Sequence, residues 1–98
     1  MSEEVVLVTG GSRGIGKSIV ETYLKAGGYA VYGTATSISG KRKIDQILEK
    51  YSGRGSGLVF NMLDESIDDF VKNFLSEYGT PSILINNAGV TDEIMHRR

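Results

Sequence analysis

The chain has 98 residues and so holds one small domain at most. Its formal net charge is −1, with both signs spread along the sequence, which gives no electrostatic basis for binding nucleic acid or an anionic membrane. It has no cysteine, which excludes disulfides and thiol catalysis, and its Met-Ser-Glu-Glu start lacks the positive residues of a secretory signal. A soluble, cytoplasmic chain is the expectation.

Residues 5–8 are an unbroken apolar run ending in Thr9-Gly10, the pattern of a strand buried on both faces. From Gly14 the spacing turns helical, with Ile15, Ile19, Tyr23 and Leu24 on one face, and Gly27-Gly28 stops it. Residues 29–34 read as a second strand and residues 37–40 as a loop. A second helix carries Ile44, Ile47, Leu48 and Tyr51 on one face and charged residues on the other. The Gly- and Ser-rich residues 52–57 read as a turn, and residues 58–62 as a third strand. Ser66 with Asp69 resembles a capping box. It opens a third helix with Ile67, Phe70, Val71, Phe74, Leu75 and Tyr78 along one face, and Gly79-Thr80-Pro81 ends it. Residues 83–85, Ile-Leu-Ile, form a fourth strand that runs into Asn86-Asn87-Ala88-Gly89.

The order β-α-β-α-β-α-β predicts parallel strands joined by right-handed crossovers. The expected fold is α/β, a Rossmann-like doubly wound parallel sheet, incomplete, with strand order 3-2-1-4. Residues 1–98 form one dinucleotide-binding unit in this reading. Strands 1 and 4 flank the switch point, where ligands bind beyond the strand carboxyl ends.

The stretch Thr9-Gly10-Gly11-Ser12-Arg13-Gly14-Ile15-Gly16 lies between the first strand and the first helix. Glycines there let backbone N–H groups approach a phosphate, and the helix N-terminus adds unpaired donors and partial positive charge. Two patterns fit. Thr9-Gly10-x-x-x-Gly14-x-Gly16 is a dinucleotide turn; Gly11-x-x-x-x-Gly16-Lys17-Ser18 matches a Walker A loop. A Walker A loop also wants an Asp at the end of a neighbouring apolar strand, where this chain has Asn86-Asn87 or Asn61 with Asp64 beyond it. The dinucleotide turn is preferred, with Lys17 and Ser18 facing solvent in the first helical turn, because residues 86–89 are explained only by the family resemblance that accompanies that turn.

The glycine stretch and Asn86-Asn87-Ala88-Gly89 together resemble the short-chain dehydrogenase/reductase family, and the resemblance runs to about Thr91. Gly33-Thr34-Ala35-Thr36-Ser37 and Gly57-Leu58-Val59-Phe60-Asn61 point within it to the 3-oxoacyl-[acyl-carrier-protein] reductases of fatty acid biosynthesis. The resemblance implies an oxidoreductase whose parent reaction is reduction of a 3-oxoacyl thioester on acyl carrier protein. It implies that Gly10, Gly11, Ser12, Arg13 and Ile15 line the pyrophosphate and adenosine ribose, with Gly14 and Gly16 completing the turn. Thr36 is expected near a 2′-phosphate, Asn61 and Met62 beside the adenine, and Asn87, Ala88 and Gly89 beside strand 4. Cofactor choice follows from charge. Residues 33–36 hold no carboxylate to bind ribose hydroxyls or repel a phosphate, and Arg13 offers a guanidinium, so NADP(H) is expected.

The family assigns its proton chemistry to a Ser and a Tyr-x-x-x-Lys. The residues four after Tyr23, Tyr29, Tyr32, Tyr51 and Tyr78 are Gly27, Gly33, Thr36, Gly55 and Ser82, so the motif does not occur here. No catalytic residue is assigned, and the chain is expected to be an N-terminal portion inactive alone, the alternative being a naturally short, non-catalytic nucleotide-binding or interaction module. An uncovered fourth strand predicts self-association. His96 and Asp64 read as surface residues with no metal role, and Tyr51 and Tyr78 as core.

Overall fold

A computed structural model describes residues 3–61 and 63–87. The elements are β1 (Glu4–Thr9), α1 (Gly14–Ala26), β2 (Tyr29–Ala35), α2 (Ile38–Lys50), β3 (Arg54–Val59), α3 (Ile67–Tyr78) and β4 (Ile83–Asn86). All strand pairs are parallel, in the order β3-β2-β1-β4. This is the doubly wound arrangement that the alternation predicts.

The apolar run in β1 is buried on both faces because the pleat splits it. Val6 and Val8 join Val20, Leu24, Val31, Ile44, Ile47 and Leu48 beneath α1 and α2. Leu7 points the other way, to Phe60, Phe70 and Phe74 of the α3 side. β4 follows the same alternation. Ile83 and Ile85, opposite Val6 and Val8, pack on the α1/α2 core. Leu84, opposite Leu7, faces the α3 side and is 62% exposed. Tyr51 packs on the first cluster and Tyr78 on the second, both half-buried as core-edge residues.

Four details differ from the sequence reading. The buried stripe of α1 is Gly16, Val20 and Leu24, while Ile15 is exposed, because Gly16 and not Ile15 abuts the glycine loop. Ser37 is the N-cap of α2 and not the start of a loop to Gly40; its Oγ accepts the Gly40 N–H at 3.2 Å. β3 starts at Arg54, inside the stretch 52–57 read as a turn, and ends at Val59. A Cβ on Gly57 would lie 2.5 Å from the Lys41 carbonyl oxygen, so glycine there admits α2 across the strand. Asp45 of α2 fastens the same contact. Its Oδ1 accepts the Gly57 N–H at 2.7 Å and its Oδ2 accepts from Lys41 Nζ at 2.7 Å. Burial opposes the charged form of this carboxylate, yet the two donors outweigh it and hold its pKa below the usual value.

The fourth difference lies on α3. Its N-cap is as read, with Ser66 Oγ accepting the Asp69 N–H at 3.1 Å. Of its apolar face, however, only Phe70 and Phe74 are buried, while Ile67, Val71 and Leu75 are exposed. Among the described residues no helix is long and apolar enough to cross a membrane.

Candidate functional site

The switch point lies between the carboxyl ends of β1 and β4, at Thr9 and Asn86, which are paired in register. The glycine loop leaves β1 here and is braced from both neighbouring strands. On the β2 side, the Gly10 N–H donates to Thr34 Oγ1 at 3.1 Å and the Gly11 N–H to the Thr34 carbonyl at 2.9 Å. On the β4 side, Asn87 Nδ2 donates to the Gly10 carbonyl at 3.1 Å. Thr9 Oγ1 donates to Asn86 Oδ1 at 3.0 Å.

Two glycines are demanded by this geometry. Gly10 has φ +70°, a left-handed turn that directs the chain away from the strand. A Cβ on Gly16 would overlap the Gly10 carbonyl oxygen and lie 2.8 Å from Asn87 Nδ2. The first turn of α1 therefore sits directly against the loop. Its N-cap is Arg13, extended at φ −161°, with no side-chain cap and no acidic residue in the first turn. The N–H groups there meet no competing carboxylate, which suits an anionic ligand.

The predicted site residues fall into three sets. Gly10, Gly11, Ser12, Arg13, Gly14, Ile15 and Gly16 form the loop and the start of α1; Arg13, Gly14 and Ile15 are exposed. Asn87 is joined to that loop by its side chain. Thr36 is exposed just past the end of β2, the strand whose Thr34 braces the loop. Asn61 stands apart beyond β3, where its Oδ1 accepts the Leu63 N–H at 2.9 Å and its carbonyl closes a turn with Asp64 and Glu65. Met62, Ala88, Gly89 and His96 lie outside the described residues.

The sequence reading missed Thr9 and Thr34. Thr34 is 3% exposed, and nothing in the sequence marked its role, since a threonine inside a strand is ordinary β-branched composition. Lys17 does not line the loop; it faces a groove between α1 and α2. The strands on either side of β1 end in Ala35 and Asn86, with no Asp of the kind a Walker A site wants. Among the described residues, no cluster of His, Cys, Asp or Glu could hold a metal ion.

The residues present fit a dinucleotide. The loop exposes backbone at a helix N-terminus, the Gly10 carbonyl occupies the space a side chain at Gly16 would need, and no carboxylate follows β2 through Thr36. Comparison with known proteins points the same way. The family model for short chain dehydrogenases matches residues 4–97. The 3-oxoacyl-[acyl-carrier-protein] reductase FabG of Salmonella typhimurium is 45% identical over 96 residues, covering 96% of this chain and 38% of that protein. The reductase of the same name from Escherichia coli is 44% identical over the same shares. The one from Pseudomonas aeruginosa is 44% identical over 91 residues, 90% of this chain and 36% of the relative. The chain thus spans little more than a third of these relatives.

Proposed function

The chain belongs to the short chain dehydrogenase family over residues 4–97, and from that premise we propose that it binds NADP(H) through its adenosine and pyrophosphate portions. The observation that carries the reading is the braced glycine loop at the β1/β4 switch point, with Arg13 at the uncapped start of α1. The N–H groups from Gly11 to Gly16 would hold the pyrophosphate. Arg13 and Thr36 would take the 2′-phosphate, and Ser12 and Ile15 would border the ribose. Asn61 and Met62 would flank the adenine, and Asn87, Ala88 and Gly89 would bound the cofactor beside β4. The bound cofactor supplies a hydride. These residues bind and orient it, and none of them is placed to move a proton.

The parent activity in this reading is NADPH-dependent reduction of a 3-oxoacyl thioester, carried on acyl carrier protein, to the 3-hydroxyacyl form in the cytoplasm. The 98 residues contain no Tyr-x-x-x-Lys, so they supply the cofactor half of that activity and no turnover alone. The partner proposed for the chain by itself is a second copy. Among the described residues β4 pairs with β1 alone, and the element at that edge is itself a strand. Two such edges meeting would satisfy the open backbone groups of both.

Cofactor titration by fluorescence tests the reading. NADPH should bind at least about tenfold more tightly than NADH, and Arg13→Ala should cost NADPH about 1.5–3 kcal/mol while leaving NADH nearly unchanged. Equal affinity of the unaltered chain for both cofactors would overturn it.

A further inference from the structure

Lys17 matches a phosphate-binding pattern in the sequence but takes no part in the glycine loop. It lines a groove of about 230 Å³ between α1 and α2, together with Lys43, Lys50 and a single carboxylate, Glu21. Ile47, 8% exposed, belongs to its floor, and the Ser12 hydroxyl and Gln46 amide add polar lining.

Three lysines therefore line one small groove with one glutamate. The ion pairs among the described residues are Lys41–Asp45 and Arg54–Glu3, so none of the three lysines is neutralised in this way. Lys50 Nζ lies 5.4 Å from the Tyr51 ring centroid, a contact that leaves its charge intact. A concave site lined by one sign of charge concentrates counter-ions.

We propose that this α1–α2 groove, which meets the dinucleotide loop only at Ser12, is a second anion site, taking a compact small molecule with two or three linked phosphates. Size and spacing select that class. The groove is smaller than the roughly 300–1,000 Å³ of sites for drug-sized ligands, so a whole dinucleotide does not fit. Lys43 and Lys50 are seven residues apart on α2, about 10 Å along the helix axis. A chain of linked phosphates meets lysines at that spacing without their stems having to converge, as a single phosphate would require. Lysine suits the role because its flexible stem brings a point charge to an anion of any orientation.

The proposal does not rest on the dinucleotide reading, and calorimetry with inorganic tripolyphosphate separates the two. The chain should bind one tripolyphosphate saturably. Lys17→Gln with Lys43→Gln, and Lys50→Gln alone, should each weaken it by about tenfold or more. All three lysines are exposed, so these changes spare the core. Arg13→Ala, which disables the loop, and Lys72→Gln on α3, across the sheet, should leave affinity within about twofold. Absence of saturable binding would overturn the proposal. So would an equal loss in Lys72→Gln, which means diffuse charge, or abolition by Arg13→Ala, which means the loop is the site.

Discussion

The N–H groups of Gly10 and Gly11 both end on Thr34, one on its hydroxyl and one on its carbonyl. The motif residues therefore depend on a side chain outside the motif. Replacing Thr34 by Val keeps the shape and the β-branch but leaves the Gly10 N–H facing a methyl group. We expect a loss of about 1–3 kcal/mol of stability in a denaturant melt, with weaker NADPH binding, and recovery in Thr34→Ser. A Val variant as stable as the unaltered chain would show that the brace contributes nothing. Gly10 and Gly16 were legible from the sequence because a left-handed turn and a close backbone approach each demand glycine. Thr34 was not legible, because a threonine inside a strand looks like any β-branched filler until its partner is known.

At the scale of elements, caps and buried runs were readable and packing-dependent features were not. Ser66 and Gly79 bound α3 as local chemistry dictates. The third strand was read, but its start at Arg54 was not, because Gly55, Ser56 and Gly57 carry turn-like composition into it; a Cβ on Gly55 would meet the Val31 carbonyl of β2 and one on Gly57 the Lys41 carbonyl of α2, both tertiary facts. The two edges of the sheet also differ. β3 presents Arg54, Gly55 and Ser56, whereas β4 presents Ile83, Leu84 and Ile85 with no charge. Charged side chains protect an edge from pairing, and β4 has none. Sedimentation of the purified chain should therefore show dimers or larger species, and Leu84→Lys should shift them to monomer. Leu84 is exposed, so the variant keeps the core. A monomeric unaltered chain would contradict the proposed pairing.

For the whole molecule, coverage of the sheet follows from simple dimensions. Four strands span roughly 14–19 Å, and a helix with its side chains is about 10–12 Å across. Two helices cover one face, and α3 alone cannot cover the other. Its outer residues Val71 and Leu75 and the neighbouring Leu84 accordingly remain exposed. What the described residues do complete is the switch point, where the glycine loop, the β2 brace and the β4 brace meet. The central claim is that this junction holds NADP(H). A ¹⁵N–¹H correlation titration of the chain with NADP⁺ tests it most directly. Saturable shifts should appear at Gly10, Gly11, Arg13, Gly16 and Thr36, with α3 unmoved. A spectrum that does not change, or changes confined to Lys43, Gln46 and Lys50 in the α1–α2 groove, would contradict it.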